Sequence, residues 1–215
     1  MTEKKHKTPG RLTAHIISDL FSPLLAPTYG MAVAMWLTRL HYLPLGVRLW
    51  ATLGVTFITA IIPVTAIALL IRAGKVSDTS ISDPRQRTVP YLVSILCYIG
   101  AAVYINALKA PSWLVVFFVG AAVVSTLSML INRKWKISAH TGGTGGLAAI
   151  IFWLALNGYI EFSPLAWVSA GFALVGIMAW SRLYLEHHTL MQVFAGATLA
   201  FAVEYGLIAL LCPVL

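Results

Sequence analysis

A chain of 215 residues that is 59% apolar and only 10% charged, with a mean hydropathy of +0.84, excludes a water-soluble domain, whose surface needs far more charge. Ordinary numbers of glycine (16) and proline (10), and only two cysteines, Cys97 and Cys212, both inside apolar runs, exclude collagen, disorder and a disulfide scaffold. The formal charge of +8 has no soluble face on which to bind nucleic acid, so no nucleic-acid partner is expected, and it reads as membrane topology or as attraction for an anionic head group.

A helix crossing the ~30 Å hydrocarbon core needs about 20 apolar residues at about 1.5 Å each. In chain order, a basic tail of residues 1–14 leads into uncharged stretches at 20–38, 49–71, 88–108, 110–132, 137–160 and 162–181. A seventh stretch, 189–211, is interrupted only by Glu204, a residue tolerated at membrane depth when it faces the bundle interior. Residues 15–215 therefore read as a single all-α domain, a polytopic membrane helix bundle of about seven spans. The first span is expected to be kinked by Pro23 and Pro27, and retained, because it lacks the short apolar core of a cleaved signal peptide.

Seven spans place the tail and the loops after spans two, four and six on one face. Twelve cations stand there, Lys4, Lys5, Lys7, Arg11, Arg72, Lys75, Arg85, Arg87, Arg133, Lys134, Lys136 and Arg182, against three on the other face, Arg39, Arg48 and Lys109. Positive charge marks the cytoplasmic side. The expectation is a multi-pass protein of a bacterial inner (cytoplasmic) membrane, with the lipid bilayer as its surroundings and its N-terminus cytoplasmic.

Three polar clusters fall on that face. The loop 77–90, SDTSISDPRQRTVP, is either a solvated connection or a segment whose Arg85 and Arg87 grip a phosphate with their planar guanidinium forks. The segment 136–146, KISAHTGGTGG, opens the fifth span. Its glycines suit either close helix packing or the approach of an oxyanion to a helix N-terminus, where unpaired N–H groups gather. Ser138, Thr141 and Thr144 add hydroxyls, and His140 adds a group that gives or takes a proton near neutral pH. The third cluster, 181–192, SRLYLEHHTLMQ, brings Arg182, Glu186, His187 and His188 together. No H-E-x-x-H spacing is present, so no metal and no other cofactor is expected. Arginines, a glycine-rich helix start and two separate histidine sites are the inventory of metal-free phosphoryl transfer.

These residues resemble the type 2 phosphatidic acid phosphatase superfamily. Its third motif is Ser-Arg, five residues, His, three residues, Asp, and Ser181-Arg182 followed by His188 matches all but the last position, where Gln192 stands. Its second motif, Pro-Ser-Gly-His, is matched at Ser138 and His140, and its first, Lys, six residues, Arg-Pro, by Arg87 near Pro90, with Arg85 in place of the lysine. The likeness covers roughly residues 83–196 and implies a core six-helix phosphatase bundle. It also implies that His188 is a nucleophile forming a phosphohistidine, and that His140 is the acid for the leaving oxygen. Arg182, Arg87 and Arg85 would bind the phosphoryl group, with Ser138 and the backbone of Ala139, Thr141 and Gly142 as further donors. Gln192 can orient the imidazole without bringing a charge, so a slower enzyme is expected; Glu186 or Asp83 are alternative carboxylates.

The substrate implied is a membrane lipid: a lipid phosphomonoester or polyprenyl diphosphate, such as phosphatidate, phosphatidylglycerophosphate or undecaprenyl diphosphate. The alternatives are a non-catalytic lipid-phosphate binding protein or transporter, and a structural membrane protein. Oligomeric state is not legible.

Overall fold

The computed structural model describes residues 9–76 and 84–213, all helix, turn or loop. Among the described residues, six helices are long and apolar enough to cross a membrane: α3 (Leu45–Arg72), α4 (Thr88–Ala107), α5 (Ser112–Asn132), α6 (Ala139–Leu156), α7 (Pro164–Tyr184) and α8 (Leu190–Leu211). They are preceded by α1 (Pro9–Leu20) and α2 (Ala26–Leu37). The protein is a polytopic membrane helix bundle.

The first expected span differs from the other six. Residues 20–38 are uncharged throughout, yet the chain turns between Phe21 and Leu25, and α2 holds 12 residues, about 18 Å of helix. It begins inside the bundle, where Tyr98 Oη donates to the Pro23 carbonyl at 3.3 Å. It ends at the opposite rim, where Arg39 lies 3.9 Å from Glu161 in the α6–α7 loop. The expected kink is thus a full break, with the irregular backbone half-buried and Ser22, Pro23 and Leu24 lining a cavity, a setting in which membranes tolerate it. Helix α1 starts at Pro9, within the segment read as tail, and packs on the last turns of α7. Its Ala14 carbonyl accepts from Ser181 Oγ at 2.7 Å.

Local chemistry sets the helix boundaries. Pro63 in α3 offers no N–H, and the chain adjusts with a π turn at Phe57–Ile61 just before it. Helix α6 starts where Ser138 Oγ accepts from the Thr141 N–H. Helix α8 starts with a reciprocal cap between Thr189 and Gln192. The 18-residue apolar window of α6 is 67% buried against 17–39% in the other spanning helices, which makes α6 the central helix. Its flanks bury Ile150, Trp153 and Leu154 among α2, α5 and α7, while Leu96, Val103, Phe194 and Leu210 point outward, as a lipid surround allows. Cys97 and Cys212 are free thiols.

The tightest contact joins α6 to α8. A Cβ on Gly145 would meet the Ala197 carbonyl oxygen at 2.5 Å and its Cα at 2.9 Å, and one on Gly196 would meet the Ser138 carbonyl. Backbone cannot yield as a flexible side chain does, so these glycines set the helix separation. Gly145→Ala is expected to cost about 1–3 kcal/mol, read as a lower melting temperature of the detergent-purified protein. Gly176→Ala, with nothing within 4 Å of its Cβ, is the matched control and leaves the melt unchanged or raises it.

Candidate functional site

Helix directions gather one end of the bundle: the C-termini of α3, α5 and α7 and the N-termini of α4, α6 and α8. Arg72, Lys75, Arg87, Arg133, Lys134, Lys136 and Arg182 lie at this end, and Arg39, Arg48 and Lys109 at the other. A cavity of about 280 Å³ opens here and descends among α4, α5, α6 and α8. Its walls carry residues from all three polar clusters: Arg87, then Ala139, His140 and Gly142, then Arg182, His187 and His188.

His188 is 8% exposed, in the turn between α7 and α8. Its Nδ1 lies 3.1 Å from Gln192 Oε1, and the same oxygen accepts from the Thr189 backbone N–H at 3.2 Å. A backbone N–H only donates, so it identifies the amide atom it meets as the carbonyl oxygen, and that oxygen requires a proton on Nδ1. Nε2 keeps its lone pair and is the nitrogen left for the cavity. Burial, then the cations Arg182 and Lys136, push the imidazole down to about 3, with Gln192 pulling in the opposite sense. At neutral pH the ring is uncharged, the form a nucleophile needs. His187 beside it is pushed down to about 4, first by burial and then by Arg182.

Arg182 is 4% exposed. Its Nη1 donates to Ser18 Oγ at 2.6 Å, whereas Nε is buried with no hydrogen-bond partner. Arg87 closes the other side, its Nη1 donating to Asn132 Oδ1 at 3.4 Å. Two buried guanidinium groups on one cavity are a strong attractor for an oxyanion.

Ser138 and Thr141 stand at the α6 start; the Ser138 oxygen accepts a backbone N–H and keeps its O–H to donate, whereas the Thr141 O–H is spent on a carbonyl. Ser138 Oγ caps the helix, and Thr141 Oγ1 donates to the Val193 carbonyl at 2.8 Å, tying α6 to α8. The Gly142 N–H bonds to the Ser138 carbonyl. The Arg85 side chain and Asp83 lie outside the described residues. Glu186 sits in the turn with a positive φ of 58°.

Helix α1 brings residues that no motif singled out: His15, Ser18 and Asp19 line the cavity, and the His15 and His187 rings lie 6.3 Å apart. The one sequence signal for them is a short polar spacing, His15, Ser18 and Asp19, that places them on one face of α1. Farther down, Tyr91, Ser94, Tyr98 and Glu204 line the wall. The interior position expected for Glu204 is observed, at 2% exposure. Compared with protein-family models, curated proteins and solved structures, the chain matches none. Its function must be argued from the chemistry of this cavity.

Proposed function

We propose that this protein is an integral membrane phosphatase that hydrolyses a lipid phosphomonoester or a polyprenyl diphosphate through a covalent phosphohistidine, without a metal ion. The observation that carries the reading is the pinned tautomer of His188, its Nε2 free beside Arg182, whose Nε has no partner. The phosphate enters between Arg87 and Arg182. His188 Nε2 donates its lone pair to phosphorus, the bond from phosphorus to the leaving oxygen breaks, and His140 gives that oxygen a proton. Water then attacks the phosphohistidine, His140 takes a proton from it, and inorganic phosphate leaves with His188 restored.

The amphiphile reaches the mouth from the bilayer, and the cation excess at that end supports a cytoplasmic site in a bacterial inner membrane. The test is release of inorganic phosphate by detergent-purified protein, with chelator present, from phosphatidate, phosphatidylglycerophosphate, undecaprenyl diphosphate and single-chain alkyl phosphates. Release from at least one supports the reading, and silence across the panel from folded protein removes it. A second reading, a lipid-phosphate binder or transporter without chemistry, is favoured by one observation, the uncharged Gln192 against His188. It expects binding of the same lipids with no release.

Gln192 also carries a graded prediction. Gln192→Leu removes the acceptor for Nδ1 and is expected to slow release about 10–100-fold, the usual effect of losing a group that orients a reacting one. Gln192→Glu keeps both hydrogen bonds and adds a charge that stabilises the cationic phosphohistidine ring, so release rises. Rates of phosphate release from the two variants, beside wild type, check it; unchanged rates in both would detach Gln192 from the chemistry.

A further inference from the structure

The cavity does not stop at the phosphate. Six residues beyond His140 on α6, about 9 Å along the axis, Gly146 packs against Glu204 of α8, and a Cβ there would meet Glu204 Cγ at 3.3 Å. Glu204 lines the cavity at this depth, and its Oε2 has no hydrogen-bond partner. Tyr91 Oη, on the wall nearer the mouth, has none either. Two neighbouring hydroxyls are spent on carbonyls, Ser94 Oγ on Pro90 and Tyr98 Oη on Pro23, while Ser125 and Ser128 of α5 also line the cavity. A carboxyl in the middle of a helix bundle costs stability unless something satisfies it. Here Oε2 is pressed against Gly120 of α5, where a Cβ would collide with it, while the residue lines the cavity without a cation partner.

We propose that this lower chamber is a leaving-group pocket, and that Glu204 recognises a hydroxyl on the alcohol released from the phosphate. The proposal rests on the phosphatase reading for its substrate class and adds what that reading lacks, the chemistry of the leaving group. An ammonium is the wrong partner, since it would have to pass Arg87, Lys136 and Arg182 at the mouth. A hydroxyl carries no charge and pairs with a carboxyl in either protonation state. The whole cavity, about 280 Å³, lies at the small end for ligand pockets, so the part beyond the phosphate site takes one chain segment. The substrate that fits is a single-chain phosphomonoester with a hydroxyl partway down the chain. Glu204 is a specificity residue and takes no part in the bond changes.

The test uses alkyl phosphonates, which bind without being hydrolysed, of equal chain length and with a hydroxyl at successive positions or none. Binding to the detergent-purified full chain is read from the concentration dependence of the melting temperature. The expected result is about tenfold tighter binding at one hydroxyl position than to the plain chain. Glu204→Leu abolishes the preference and Glu204→Gln, which keeps the shape and a hydrogen-bonding group, retains it. A wild type indifferent to the hydroxyl at every position overturns the proposal, as does a folded Glu204→Leu that keeps the preference. Should Glu204→Leu not fold, the wild-type contrast and Glu204→Gln decide alone. The matching alkyl phosphates separate the two readings: a hydroxyl preference in binding with no phosphate release from any chain keeps the pocket and removes the phosphatase.

Discussion

His188→Ala is expected to abolish phosphate release, by about 10⁴-fold or more, the scale seen when a covalent nucleophile is removed. No other group described at the cavity is prepared in the same way. His140 opens α6 and His187 is the neighbouring ring, but only His188 has one nitrogen held by an acceptor that fixes its tautomer. The substitution leaves the helix start intact, because the Thr189 N–H still has Gln192 Oε1. A melt close to wild type therefore accompanies the loss. A second readout separates chemistry from binding: brief mixing of wild type with radiolabelled phosphate ester and denaturation in alkali retains label on the protein, and His188→Ala retains none. Equal release by both proteins would remove His188 from the nucleophile's role and leave the cavity as a binding site.

How far the sequence foretold this arrangement depends on the kind of signal. Uncharged stretches of about 20 residues located α3 to α8, because a spanning helix cannot hide its length or its lack of charge. The same count failed at residues 20–38, because a stretch without charge says nothing about a break, and Ser22 and Pro23 end one helix before Ala26 starts another. In the loops, Arg87, His140, Arg182 and His188 were singled out by spacing, and the parity of the spans put them on one face. They line one cavity for that reason. Thr141 shows the limit of residue type as a guide: a hydroxyl beside a histidine can serve a ligand or the fold, and here Thr141 Oγ1 donates to the Val193 carbonyl and holds α8. Ser18 was illegible because its partner is Arg182, 164 residues away, and nothing local marks such a pair.

That pair sets the second large effect. Arg182→Lys is expected to lower kcat/KM about 10²–10³-fold, equivalent to roughly 2.7–4 kcal/mol of lost transition-state stabilisation, although the charge is conserved. The reason is geometric. The guanidinium is fixed at one corner by Ser18 Oγ at 2.6 Å while Nε stays unsatisfied inside the protein. A planar fork so held presents its remaining donors to a phosphoryl oxygen with little further loss of freedom, whereas a lysine ammonium is a point charge on a flexible stem. Ser18→Ala keeps the fork and removes only its tether, so its loss is smaller, and it falls more on kcat than on KM because an untethered fork still attracts the dianion but meets the transition state in poorer register. If Arg182→Lys instead matches wild type, charge alone suffices at this position. The orphaned Nε would then lose its place in the argument, and the binding of phosphate would have to rest on Arg87 and the wider field of the basic end.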